Sequence, residues 1–404
     1  MGVTLSLAAL HARDGFAALI AALGGAEQTR LVGGVVRDTL LGLDPADVDL
    51  ATRLLPDEVL ARLQAAAIRA VPTGLAHGTV TGVLPSGPIE VTTLRRDVAT
   101  DGRHAVVAFT DAWDEDASRR DFTMNALYAD PATGEVFDSV GGLADLAARR
   151  VRFIGDPYRR IAEDHLRILR FFRFHARFGD AIDAEGLEAC TARANDLMAL
   201  SRERIAAELL KLLVAAQAVP VVTLMVDRGI LRAVLPEITD AAPLATLAAR
   251  EAAAGVAPDP IRRLAALLPP SAAEAVGARL KLSNADRKRL VAATAGPGDE
   301  GPRALAYRAG PTSAIDRLLL AGEDVSAIRD WTPPSLPIGG GALVERGLTK
   351  GPQVATVLRT IETRWIAEGF PDAPRVAQIA DEAVAAARAD MIIDRASAAS
   401  SGRA

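Results

Sequence analysis

The chain has 404 residues, half of them hydrophobic and about a quarter charged, with a formal net charge of -5. That length exceeds a single compact core and that composition is ordinary for a soluble globular protein, so roughly two to four domains are expected. One cysteine, Cys190, and five histidines exclude a disulfide framework and argue against a zinc cluster, and the acidic balance argues against indiscriminate coating of nucleic acid.

The start, MGVTLSLAALHARDGF, has no basic opening and carries Arg13 and Asp14, so it does not read as a secretory signal. No uncharged run approaches the ~20 residues needed to span a bilayer. A cytoplasmic protein without a membrane partner is the expectation, and nothing in the sequence fixes an oligomeric state.

In chain order, TRLVGG reads as a buried strand entering a glycine turn, VVRDTLLG as a short helix and DVDLAT as a second strand. PDEVLARLQAAA is a helix with Pro56 and two acids at its start. GTVTGVL and PIEVTTLR pair across the turn PSG. A polar stretch from Asp97 to Ser118 is followed by RRDFTMNALYAD and a hairpin-like DPATGEVFD. A small domain with one mixed sheet therefore ends near Gly142. Helical patterns follow: PYRRIAEDHLRILRFFRFHARFG, AEGLEACTARANDLMAL, and SRERIAAELLKLLVA with Ser201 as its expected cap. A break over Trp331–Gly341 precedes a C-terminal unit, and RASAASSGRA reads as a frayed tail.

Asp47 and Asp49 lie two apart on an expected strand, so their side chains share a face. Two carboxylates on one rigid edge suit Mg2+-assisted transfer of a phosphoryl or nucleotidyl group. A solvated edge pair gives the same pattern. Gly33 and Gly34 sit where backbone amides can meet phosphate, or where a tight strand-to-helix turn needs them. Arg37 and Asp38 suit a local ion pair, and Glu90 suits either a third acid or a surface glutamate.

From Arg149 to Arg177 there are nine arginines against three acids, Asp156, Glu163 and Asp164, a concentration unusual in an acidic chain. On a helix, Asp164 and Arg167 are i,i+3 neighbours, and Arg170 and Arg173 continue the same fan. A carboxylate beside a guanidinium offers an acceptor and a fork of donors, which imitates the edge of a base or forms a plain surface salt bridge. Leu166, Ile168, Leu169, Phe171, Phe172 and Phe174 read as core.

LVGGVVRDTLLG followed by DVDLAT, with RRDFTMNA and EDHLR downstream, resembles the class II nucleotidyltransferases of the polymerase β superfamily. That group contains the tRNA CCA-adding enzymes and the bacterial poly(A) polymerases. The resemblance implies an α+β fold: a nucleotidyltransferase palm over residues 1–142, a helical neck over 143–215, a helical body over 216–330 and a tRNA-binding helical tail over 331–404. It implies that Asp47 and Asp49 hold Mg2+ and that Glu90 completes a catalytic carboxylate set. It assigns the nucleotide to Gly33, Gly34, Arg37, Arg120, Asp164, Arg167, Arg170 and Arg173, with Asp121 orienting the pocket.

AVPTGLAHGTV and the tail LPIGGGALVERGLTKGPQ resemble the CCA-adding branch, and the stretch before Arg119 resembles the loop that branch uses to switch from C to A. In that tail Gly347, Lys350 and Gly351 suit backbone contact with RNA or a tight turn. The implied reaction is template-independent addition of CCA to tRNA from CTP and ATP, releasing pyrophosphate. A poly(A) or A-adding enzyme and a catalytically silent RNA-binding protein are the alternatives.

Overall fold

Strands β1 (Thr29–Val32), β2 (Asp49–Thr52), β3 (Arg69–Gly74), β4 (Thr79–Leu84), β5 (Gly87–Thr93), β8 (Tyr128–Ala129) and β9 (Val136–Phe137) form one seven-stranded sheet in the computed structural model. Their order is β3-β4-β5-β2-β1-β8-β9. The β2–β5 pair is parallel, with Asp49 opposite Glu90, and every other neighbouring pair is antiparallel. The structure describes residues 2–100, 105–349 and 351–401.

Two short helices, α1 (Ala8–His11) and α2 (Phe16–Ala22), precede the sheet, and α3 (Gly34–Leu40) follows β1. A parallel pair needs a crossover, which α4 (Pro56–Ala65) supplies together with β3 and β4. Pro56 at the first helical position and Asp57 and Glu58 in the first turn start α4. Leu19, Leu63, Leu31, Leu50, Val80, Ile89 and Val91 are fully buried, so α2 and α4 close one face of the sheet. Strand β3 was not expected. It is an edge strand containing Pro72, tolerated because an edge residue can face away from the ladder.

The stretch that resembles the family's flexible loop carries secondary structure in its described part. Strands β6 (Arg95–Thr100) and β7 (Ala105–Phe109) pair antiparallel, and α5 (Trp113–Ser118) follows with three acids in its first turn. The run AVVAF gives β6 a β-prone partner, which polarity alone concealed. Residues 101–104, also in that segment, lie outside the described residues.

Beyond the sheet come α6 (Gly142–Ala147), α7 (Pro157–Glu163), α8 (Arg167–Phe178), α9 (Ala184–Ala192), α10 (Arg202–Leu213) and α11 (Ala218–Asp227). The long helix expected over PYRRIAEDHLRILRFFRFHARFG is broken at Asp164, whose backbone is extended. Its carboxylate accepts from the Leu166 N–H, so the side chain starts a second helix rather than continuing the first. Ser201 precedes α10 but makes no side-chain cap bond. Phe122, Phe153 and Phe171 pack together, the last two stacked at 5.4 Å, and anchor α8 to the RRDFT segment.

The chain divides into two units, Met1–Ala242 with Ala278–Leu282, and Pro243–Gly277 with Ser283–Ala404. The second is helical, from α12 (Ala242–Ala254) through α13 (Pro260–Ala266), α14 (Ala273–Arg279), α15 (Asn284–Ala293), α16 (Pro302–Ala309), α17 (Pro311–Ala321), α18 (Gly340–Glu345) and α19 (Pro352–Ala367) to α20 (Ala373–Ser401). Arg262 is buried there between Glu251 and Asp316, and Trp365 packs against Tyr307 and Phe370. The expected frayed tail is helical as far as Ser401, and Lys350 lies outside the described residues. Among the described residues no helix is long and apolar enough to cross a membrane.

Candidate active site

A cleft of about 570 Å3 in the first unit is lined by Gly33, Gly34, Arg37, Asp47, Asp49, Arg120, Asp164, Arg167, Arg170 and Arg173. These are the expected site residues, Glu90 excepted. Arg119, Asp121, Asn125 and Phe174 complete the lining.

Asp49 opens β2, whereas Asp47 lies just before the strand, not on it. Val48 between them is buried, so the two carboxylates still point to the cleft side. Burial, then the charges of Glu90 and Asp47, raises the Asp49 carboxyl above its ordinary value, and Arg120 opposes them. Among the described residues no cation lies within ion-pair distance of either aspartate, and no group of three or more His, Cys, Asp or Glu side chains stands ready to hold a metal. Glu90 is exposed and in register with Asp49, but the structure does not bring it to the cleft lining. A half-buried acid raised by burial and by like charge, with hard oxygen donors beside it, fits a divalent cation.

Gly33 has φ +71, a left-handed backbone that favours glycine. Its N–H donates to the Leu127 carbonyl at 3.0 Å, so that amide is committed to the fold and is not offered to phosphate. Gly34, first residue of α3, keeps only Arg37 near the space a Cβ would take, at 3.8 Å. Arg37 itself is buried, and burial, partly offset by Asp38, lowers its guanidinium below the ordinary range. It donates to Asp38 at 2.7 Å and to Asn125 Oδ1 at 2.6 Å, and its cation lies 4.3 Å from the Phe178 ring centroid. The local ion pair with Asp38 is thus present.

Asn125 carries the network onward. Its Nδ2 donates to Asp121 at 3.0 Å, and the other oxygen of Asp121 accepts from Arg170 Nε at 2.7 Å. Burial works to raise the Asp121 carboxyl, yet Arg170, Asn125 and the Phe122 N–H outweigh it and hold it low. Arg173 in turn donates to Glu208 at 2.5 Å. Its cation and that of Arg170 lie over Phe174, at 4.3 and 5.3 Å, so Phe174 is both core and cleft wall.

Arg120 is held by Asp116 at 3.0 Å and by the Tyr128 hydroxyl at 3.3 Å. Asp116, fully buried, also accepts from Arg119 and from Tyr128 at 2.6 Å. Burial pushes its carboxyl up, but Arg120, Arg119 and the Tyr128 hydroxyl prevail and hold it at about 2. Burial alone would lower the Arg120 guanidinium, but Tyr128 and Asp116 raise it.

Asp164 and Arg167 both face the cleft without pairing as one helix's i,i+3 neighbours, because Asp164 lies in the break before α8. Arg167 donates to Glu163 at 2.6 Å and to the carbonyls of Arg160 and Arg119. Asp164 accepts from Arg204 at 2.7 Å. Sequence reasoning missed Asp116, Asn125, Tyr128, Arg204 and Glu208, which hold the expected residues from other elements. The RRDFTMNA segment contained Asn125 and EDASRR contained Asp116, but long-range pairing leaves no local pattern.

Residues 29–152 match the family described as the poly A polymerase head domain, and residues 181–242 match a probable RNA and SrmB-binding site of polymerase A. The chain is 34% identical over 370 residues to the mitochondrial CCA tRNA nucleotidyltransferase 1 of Mus musculus, covering 85% of this chain and 84% of that one. Its fold resembles the Bacillus stearothermophilus CCA-adding enzyme solved with CTP, at a TM-score of 0.63 and 26% identity over 87% of this chain and 91% of that one. It also resembles the fold of a Thermotoga maritima CCA-adding enzyme solved with tRNA, at 0.66 and 19% identity over 93% and 98%.

Proposed function

The chain belongs to the class II CCA-adding enzymes, and from that premise we propose that its cleft adds C, C and A to the 3′ end of tRNA from CTP and ATP, releasing pyrophosphate. The observation that carries the reading is the meeting, in one cleft, of two carboxylates without an ion-pair partner among the described residues and an arginine wall fixed by other groups.

Asp47 and Asp49 would hold the divalent cation, Mg2+ in this reading, and the cation when bound supplies charge neutralisation at the triphosphate and activation of the tRNA hydroxyl. Glu90 would act on Asp49 through its charge, since it stands beside it in the sheet and outside the cleft lining. Gly34, Arg37 and Arg120 steady triphosphate and ribose, with Gly33 shaping the turn that brings them together. Arg37, held through Nε and Nη2 by Asp38 and through Nη1 by Asn125, and Arg120, held by Asp116 and Tyr128, are fixed before a nucleotide arrives, so their contact with it would carry little ordering cost. Asp164 and Arg167 read the base: an acceptor and a donor fork match the amino group and ring nitrogen that cytosine and adenine share. Arg170 and Arg173 extend the cationic wall. The protein's contribution is positioning and electrostatic preorganisation. Neck, body and tail over residues 143–404 would carry the tRNA through shape and phosphate contacts.

The test is incubation with a tRNA ending at its discriminator base, CTP, ATP and Mg2+, followed by sequencing of the extended ends. Ends reading CCA are expected. Extension by ATP alone would replace this reading with an A-adding one.

A further inference from the structure

We propose that Arg204 is a positioning residue for base selection, holding the Asp164 carboxylate in the one orientation that discriminates between bases. The inference rests on the reading of Asp164 as a base-reading group.

Asp164 stands at the extended break between α7 and α8, so no helical ladder fixes its side chain. Two contacts do. Oδ1 accepts from the Leu166 N–H at 3.1 Å, and Oδ2 accepts from Arg204 Nη2 at 2.7 Å. Arg204 comes from α10, which packs against α8. One turn further along α10, Glu208 holds Arg173 of the same cleft at 2.5 Å. Residues four apart on a helix share a face, so one face of α10 presents a cation to the cleft's acid and an acid to its arginine.

The consequence for selection is electrostatic. An ionised carboxylate oxygen has two lone pairs, so each oxygen of Asp164 keeps one for a ligand after its fixed contact is made. Cytosine and adenine present an amino donor where uracil and guanine present a carbonyl oxygen. A carboxylate pinned at both oxygens accepts from the first pair and repels the second. Without Arg204, only the Leu166 N–H holds it, and the carboxylate can turn away from the carbonyl of a wrong base. At 41% exposure Arg204 lies at the surface, so its substitution removes this contact with little loss of packing.

The experiment measures kcat and KM for CTP, ATP, UTP and GTP on tRNA lacking its 3′ CCA. It compares wild type with Arg204→Gln, Arg204→Lys, Asp164→Ala and the double variant Asp164→Ala/Arg204→Gln, with thermal melting of each. Arg204→Gln is expected to lower the CTP-over-UTP and ATP-over-GTP ratios of kcat/KM by roughly tenfold, the order of one lost hydrogen bond to a charged group. Melting should be unchanged, Arg204→Lys should restore part of the ratio, and Arg204→Gln should add nothing to Asp164→Ala. Unchanged ratios in Arg204→Gln, while Asp164→Ala loses them, overturn the positioning role. So does a full Arg204→Gln effect in the Asp164→Ala background. Ratios unchanged in Asp164→Ala overturn the base-reading premise itself.

Discussion

The two walls of the cleft are built on opposite electrostatic plans. On the sheet side, Asp47 and Asp49 have no ion-pair partner among the described residues, and Asp49 is raised by burial and by its acidic neighbours. On the helical side, Arg37, Arg120, Arg167, Arg170 and Arg173 are each tied to a carboxylate: Asp38, Asp116, Glu163, Asp121 and Glu208. The first wall is incomplete as a set of charges and gains most from a bound cation. The second is complete without a ligand, so its guanidiniums are preorganised. The contrast teaches that the cleft's arginine wall is not a loose basic patch, because each of those five charges has a fixed direction.

The largest effect should come from the incomplete wall. Asp49→Ala or Asp47→Ala is expected to slow nucleotide addition by about a thousandfold or more, measured as pyrophosphate release, because the charge that the cation neutralises is then left on the triphosphate. Near-normal rates in either variant would remove the metal assignment and with it the contrast between the walls.

The complete wall should fail structurally instead. Asp121 accepts from Phe122, Asn125 and Arg170, so Asp121→Ala leaves three donors without their acceptor. A loss of roughly 2–4 kcal/mol in urea unfolding is expected, a little below the ~3–5 kcal/mol for breaking a fully buried ion pair because Arg170 is partly exposed. A loss well under 1 kcal/mol would mean that solvent already satisfies the network.

Acid titration sharpens the comparison, because the two walls shift their acids in opposite senses. Asp116 is held at about 2 against an ordinary 3.8. Its stabilisation is therefore present above pH 4 and lost as the pH falls from about 4 to 2, amounting to about 2 kcal/mol. Asp116→Asn should remove that part of the acid dependence. Asp49 is raised, so its ionisation costs stability as the pH climbs through and above 3.8, and a bound cation cancels the cost. Cation affinity, followed by calorimetry, should weaken as the pH falls into that raised range.

The smallest effect belongs to Glu90. Removing its charge by Glu90→Gln relieves Asp49 and should let cation binding persist to lower pH, with less than about a tenfold change in rate. A loss as large as that of Asp49→Ala would make Glu90 a ligand in its own right.

The sequence alone determined the elements that short-range chemistry controls. The run into Gly33, the helix opened by Pro56, and the hairpin across Pro85 and Ser86 are local patterns of burial, φ preference and turn residues, and they form where expected. The family resemblance carried by the motifs pointed to Gly34, Arg37, Asp49, Arg120 and Arg170 as parts of one site, and all five line one cleft. Tertiary structure decided what each group does there. It ended a helix at Asp164, because that side chain found the Leu166 N–H and Arg204, and it kept Glu90 off the cleft lining. It took the Gly33 amide for the Leu127 carbonyl. It also supplied Arg204 and Glu208 from a helix some forty and thirty-five residues downstream of the side chains they hold. A buried charge must find a partner wherever the fold brings one, and that requirement leaves no periodic trace along the chain.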